Sequence, residues 1–113
     1  MKRNATVCLT RPEDLQYLAP GVTPATGTLR TLYGLRVIET KGGSYVSEDL
    51  HFEAVRFYKG RDGIDWSGWI VRETMGKDHS DPIATKREAL TELVRWAKQD
   101  AEERAARIAA FRR

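Results

Sequence analysis

Thr85-Lys86-Arg87-Glu88-Ala89-Leu90-Thr91-Glu92-Leu93-Val94 is the stretch on which the fold turns. Thr85 followed three residues later by Glu88 forms a capping box: the hydroxyl accepts from the backbone N–H of residue 88 while the carboxylate reaches back. Behind it Ala89, Leu90, Leu93, Val94, Ala97, Ala101, Ala105 and Ile108 recur at intervals of three and four, the spacing of one apolar helix face. The pattern predicts a helix over 86–111. Asp100 with Arg104 and Glu103 with Arg107 stand as acid-to-base pairs at i,i+4, each worth a few tenths of a kcal/mol to an exposed helix. At roughly 1.5 Å per residue such a helix is about 40 Å long, whereas strands of about six to nine residues reach about 20–30 Å. Its C-terminal half is therefore expected to overhang any sheet it covers.

Upstream of that helix the pattern is that of strands. Leu29 to Thr40 is rich in Leu, Val, Ile and Tyr, with Gly34 interrupting it where a bulge or close backbone approach is expected. Lys41-Gly42-Gly43-Ser44 supplies a turn, and Tyr45 to Tyr58 holds a second strand, clearest over Phe52 to Tyr58. Lys59-Gly60-Arg61-Asp62-Gly63 turns the chain again, and Trp66 to Thr74 returns. Nearer the start, Ala5 to Leu9 reads as a short strand. Thr10-Arg11-Pro12-Glu13 reads as a second capping box opening a short helix with Leu15 and Leu18, ended by Pro20-Gly21. Residues 20–27 form an irregular connector. The sum is one α+β domain over 1–113: a three- to four-stranded antiparallel sheet, a short N-terminal helix and a long C-terminal helix.

The 113 residues suit one domain, and a composition 41% hydrophobic and 31% charged allows both a core and a solvated surface. Met1-Lys2-Arg3 is not followed by the apolar run of a signal peptide, and no apolar stretch reaches bilayer length; a cytoplasmic location is the expectation. The lone Cys8 lies in an apolar stretch, which predicts a buried, reduced thiol. The net charge of +3 is unevenly placed. Residues 1–85 carry eleven basic and eleven acidic side chains, residues 86–113 eight and five, so the excess lies at the C-terminus.

The chemistry of catalysis is thinly represented. Asp78-His79-Ser80-Asp81 holds one histidine and no second ligand pair, which favours loop polarity over a metal site, and His51 stands apart. Two histidines and one cysteine make a poor inventory for nucleophilic catalysis, the acids alternate with bases as solvated acids do, and none of the glycines opens a helix after a strand as a phosphate loop requires. No cofactor, metal or enzymatic activity is expected. Trp66 and Trp69, with Phe57 and Tyr58, lie on neighbouring strands beside Arg56, Lys59, Arg61 and Arg72. This combination offers either a platform for bases or a core, and alternation puts the two tryptophans on opposite faces.

The order of two strands, an acidic loop and Thr85-Lys86-Arg87-Glu88-Ala89 opening a helix that carries Trp96 resembles the small sheet-plus-helix DNA-binding modules at the N-terminus of some tyrosine recombinases, over about residues 52–97. That resemblance implies a sheet face entering the major groove through Arg56, Arg61 and Arg72. The tip of the helix carries Arg104, Arg107, Arg112 and Arg113 with no acid after residue 103. Such a row suits phosphates or an acidic protein surface, and it equally opposes the helix macrodipole. Ala101, Ala105, Ile108 and Phe111 continue the apolar stripe past the sheet, where a second copy could cover it. Two functions follow as expectations. One is a non-catalytic nucleic-acid-associated module using Arg56, Arg61, Arg72, Trp69 and the C-terminal arginines. The other is a protein-interaction or inhibitory module, of phage or mobile-element type, docking through the overhanging helix, alone or as a homodimer.

Overall fold

The computed structural model describes residues 5–61 and 64–112, without the side chains of residues 58–61 and 64–66. Its elements are β1 (Thr6–Cys8), a 3₁₀ helix (Pro12–Tyr17), β2 (Thr26–Leu32), β3 (Leu35–Thr40), β4 (Tyr45–Val46), β5 (Phe52–Arg61), β6 (Ile64–Glu73) and α1 (Lys86–Phe111). The strands form one antiparallel meander in the order β1-β2-β3-β4-β5-β6. The sheet therefore has six strands, not three to four.

Two turns account for most of that difference. Leu29–Thr40 is not one interrupted strand but parts of two: Leu32 pairs with Leu35 across Tyr33 and Gly34, which have φ of 53° and 77°. Positive φ at both central residues is the tight hairpin turn whose twist matches that of its strands. Tyr33 adopts it despite its Cβ, with the Arg87 guanidinium over its ring at 5.7 Å. Tyr45–Tyr58 likewise divides, because the buried Ser47 folds the chain back on itself: its backbone N–H donates to Phe52 O at 2.9 Å and its Oγ accepts from Phe52 N at 3.1 Å. Tyr45–Val46 becomes a two-residue strand of its own.

The short N-terminal helix is corrected as well. Residues 12–17 form a 3₁₀ helix whose N-cap is Arg11, at ψ 145°, with no side-chain cap. A residue before proline is driven out of the helical region by the proline ring, so Arg11 cannot be a first helical residue and Thr10 cannot cap. Cys8, expected inside, is exposed. Alternation along edge strand β1 turns Val7 inward and Cys8 out.

α1 starts as its sequence dictates, with Thr85 Oγ1 accepting from Glu88 N and donating to the Glu88 carboxylate. It lays Ala89, Leu90 and Leu93, all buried, on Val37, Tyr45, Phe52, Ala54, Trp69 and Val71 of the sheet. Each fully buried leucine contributes about 1.5–3 kcal/mol relative to exposure. Trp96 meets Phe52 edge to face at 5.9 Å, Ala97 is the last residue packed against the core, and every residue from 101 to 112 is exposed. On the sheet's other face Ile38 and Val46 are buried. β2 and β3 approach so closely at Gly27 that a Cβ there would lie 2.6 Å from Ile38 Cγ2 and 2.9 Å from the Glu39 carbonyl. Residues 78–83 close part of the outer edge of β6, with Trp69 and Ile83 exchanging backbone hydrogen bonds at 2.8 and 2.7 Å. Among the described residues no helix is long and apolar enough to cross a membrane.

A candidate basic cleft at the start of the long helix

The ladder between β5 and β6 runs for ten pairs, whereas β4 gives β5 only Tyr45↔Ala54 and Val46↔Glu53. From Val55 onward β5 has β6 on one side and, on the other, the turn after β3. That turn is held by Thr40, whose backbone N–H donates to Ser44 O at 2.9 Å. The first residue of α1 completes the enclosure. The result is a cleft of about 570 Å³ lined by Gly42, Gly43, Ser44, Arg56, Trp69 and Lys86, among others.

Its floor is aromatic and its walls are cationic. Tyr45 and Trp69 are 4% and 7% exposed and lie 6.0 Å apart at a tilt of 46°. Lys86 Nζ stands 5.0 Å from the centre of the Tyr45 ring and Arg56 Cζ 5.6 Å from that of Trp69, within the range of cation–π attraction. The Tyr45 hydroxyl donates to Glu39 Oε2 at 2.9 Å, and Arg30 Nη1 donates to Glu39 Oε1 at 2.8 Å. These hydrogen bonds, that of Tyr45 foremost, hold the Glu39 carboxyl below its ordinary range. The hydrogen bond of Lys86 with Tyr45 holds the ammonium above its own. Lys86 thus stays charged, and it sits on the first turn of α1, where unpaired backbone N–H groups give the helix its positive end.

Two sets of cations stand out among the described residues. Arg11, Arg30, Arg36, Arg72, Arg95 and Arg104 form ion pairs with carboxylates. Lys86 and Arg87 lie instead over Tyr45 and Tyr33, and among the described residues neither has a carboxylate at ion-pair distance. A ring positions a cation without cancelling its charge, although Lys86 also feels the Glu39 carboxylate beyond ion-pair distance.

The residues singled out in the sequence are dispersed. Arg56 and Trp69 meet in the cleft, as cross-strand partners, but Trp69 is a core residue and offers no stacking face. Arg72 lies on the opposite face, paired with Glu53 at 2.8 Å, so no single sheet face presents both Arg56 and Arg72. The side chains of Arg61 and Trp66, and the whole of Arg113, lie outside the described residues. Arg107 and Arg112 are exposed on the overhang. Arg104 pairs with Asp100 at 2.8 Å and turns towards His51 instead of joining a row. Glu103, expected to pair with Arg107, accepts from Gln99 Nε2 at 3.3 Å. Lys86, Arg87 and Tyr45 had passed as helix-start and strand residues. The signal for them was the adjacent Lys86-Arg87 in the first turn, a place where helices ordinarily favour acids.

Comparison of the chain with protein-family models, with curated proteins and with solved structures found no match.

Proposed function

We propose that this chain is a non-catalytic binding module that associates with nucleic acid through its phosphates, which enter the cleft between the 42–44 turn and the start of α1. The observation that carries this reading is the pairing of Lys86 and Arg87 with aromatic rings and not with acids, at the positive end of a 26-residue helix. Tyr45 and Trp69 are buried and cannot stack on bases, so the contacts made in the cleft are to the backbone and largely indifferent to sequence. Arg107 and Arg112, exposed on the overhang, stand at the far end of α1 as a separate basic surface. We place the module in the cytoplasm, where an exposed thiol such as that of Cys8 stays reduced.

The test is fluorescence anisotropy of labelled duplex and single-stranded DNA at low and near-physiological salt. Binding is expected to fall with salt at about 0.7–0.9 of a log–log unit per phosphate contacted. Lys86→Glu combined with Arg87→Glu should weaken it at least about tenfold, as expected for two lost phosphate contacts. An unchanged affinity in that variant would remove the cleft from the reading.

A second reading rests on Ile108 and Phe111, 55% and 92% exposed on the overhang. An apolar stripe left in water is the mark of an interface, and it supports a protein-interaction or inhibitory module docking through α1, or a homodimer formed there.

A further inference from the structure

One face of α1 runs from the core into water. Leu90, Leu93, Ala97, Arg104, Ile108 and Phe111 fall within an arc of about 80°, at roughly 3.6 residues per turn. Leu90 and Leu93 are buried in the core and Ala97 packs on it. Arg104 Nη1 reaches His51 Nε2 at 2.8 Å, and past that contact Ile108 and Phe111 are exposed on the same face. α1 is unbroken to Phe111, which puts that residue about 10 Å beyond Arg104 at roughly 1.5 Å per residue. An unbroken helix cannot turn its tip back onto its own sheet, so a cover for this face has to come from another molecule.

On the sheet face away from α1 lies a cavity of about 480 Å³. Arg11 lines it and approaches His51 Nδ1 at 3.2 Å, so the cavity and the overhang begin at the same histidine. Leu9, Leu18, Val46 and Leu50 give it apolar walls, and Tyr17 and Met75, 78% and 81% exposed, an apolar mouth. Leu50 has φ 67°, rarely adopted by a branched side chain. It is pinned there by its N–H on Ser47 O and by Thr74 Oγ1 on its carbonyl, both at 2.9 Å, so that wall is fixed by the backbone.

Charge selects the occupant. Where the mouth meets His51, the carboxylates of Glu13, Asp14 and Asp49 face one guanidinium, that of Arg11. Its Nε lies 3.8 Å from Glu13 and 3.0 Å from Asp14, while Asp49 accepts from neutral donors, Ser47 Oγ and the His51 backbone N–H. The neighbouring Glu53–Arg72 and Asp100–Arg104 pairs are neutral. The overhang has the opposite sign: it carries no acid after Glu103, and Arg107 and Arg112 are exposed. We infer that the overhang of a second copy fills this cavity, Phe111 entering between Tyr17 and Met75 while Arg107 and Arg112 reach the carboxylates. Because each cavity begins beside Arg104, two overhangs laid antiparallel bring each tip to the other copy's cavity. The two copies exchange tips about a twofold axis, which closes as a dimer and not as a filament. The exchange rests on the reading of the overhang as an interface and supplies its partner.

Sedimentation of the full chain over a wide range of concentration should show a dimer. Phe111→Glu should raise its dissociation constant at least about tenfold, as for an anchor residue seated in a pocket, with urea unfolding unchanged because residue 111 lies outside the core. Arg107→Glu with Arg112→Glu should also weaken the dimer, and adding Glu13→Arg should restore part of the loss. Disulfide trapping locates the tip: with Cys8→Ser throughout, a chain bearing Met75→Cys mixed with one bearing Arg112→Cys should cross-link faster than either alone. A dimer broken by Phe111→Glu but not trapped through residue 75 overturns the cavity as the seat and leaves the overhang as the interface. A chain that is monomeric at every concentration, or a dimer indifferent to Phe111→Glu, overturns the exchange and self-association through the overhang together.

Discussion

Glu39 shows how one side chain ties the sheet to the cleft. Its two oxygens accept separately from Arg30 and Tyr45, so Tyr45 is fixed at both ends, its ring in the core and its hydroxyl on a charge. Because the folded state holds the carboxyl below its ordinary value of 4.5, folding favours the ionised form. The sign follows: the contribution is fully present above that value and is lost as pH falls through the lower folded one. Glu39→Gln should therefore be less stable than the parent near neutral pH, and the difference should shrink on acidification. Tryptophan fluorescence in denaturant titrations at neutral and acid pH measures this, and a pH-independent difference would discount the ionised carboxylate. Lys86, raised by the same tyrosine, behaves in the opposite sense, its contribution being lost only as pH rises through its folded value.

At the scale of elements, α1 is two helices in one. Its first three turns are held by the cap and by Leu90 and Leu93, both fully buried; its last three have their own backbone and a few exposed polar contacts, Asp100–Arg104, Gln99–Glu103 and Arg104–His51. Leu93→Ala should cost about 2–5 kcal/mol, the loss of transfer energy plus a cavity that a sheet-backed site cannot collapse, measured by urea denaturation. A cost under about 1 kcal/mol would mean that the helix is not clamped to the sheet. The start of α1 was legible because a cap and a 3.6-residue period concern residues three and four apart. The strands were partly legible. Tyr33-Gly34 carries only a weak hairpin signal, since tyrosine rarely accepts positive φ, and Arg11-Pro12 hides a cap failure behind a capping-box pattern.

For the whole molecule, a radius of gyration of 16.1 Å exceeds the roughly 13 Å of a compact chain of this length. The overhang of α1 and the β5–β6 ladder, which outruns β4, both extend beyond the packed centre. Shortening the chain after Gln99 removes residues that contribute nothing to the buried core, so the remainder should keep its far-ultraviolet dichroism per residue, less the lost helix, and its cooperative unfolding. If it does not fold, the overhang is structural. If it folds as a monomer while the intact chain sediments as a dimer, Ile108 and Phe111 are the self-association surface.

The sequence by itself determined the class, the long helix, its cap and its overhang, because helical hydrogen bonds and caps join residues near in the chain. Only the tertiary structure decided the number of strands, the burial of Trp69 and both candidate sites. Strand pairing, the meeting of Lys86 with Tyr45 and the contact of His51 with Arg104, 53 residues apart, depend on register and on where each element ends. The local pattern of a chain does not record those quantities.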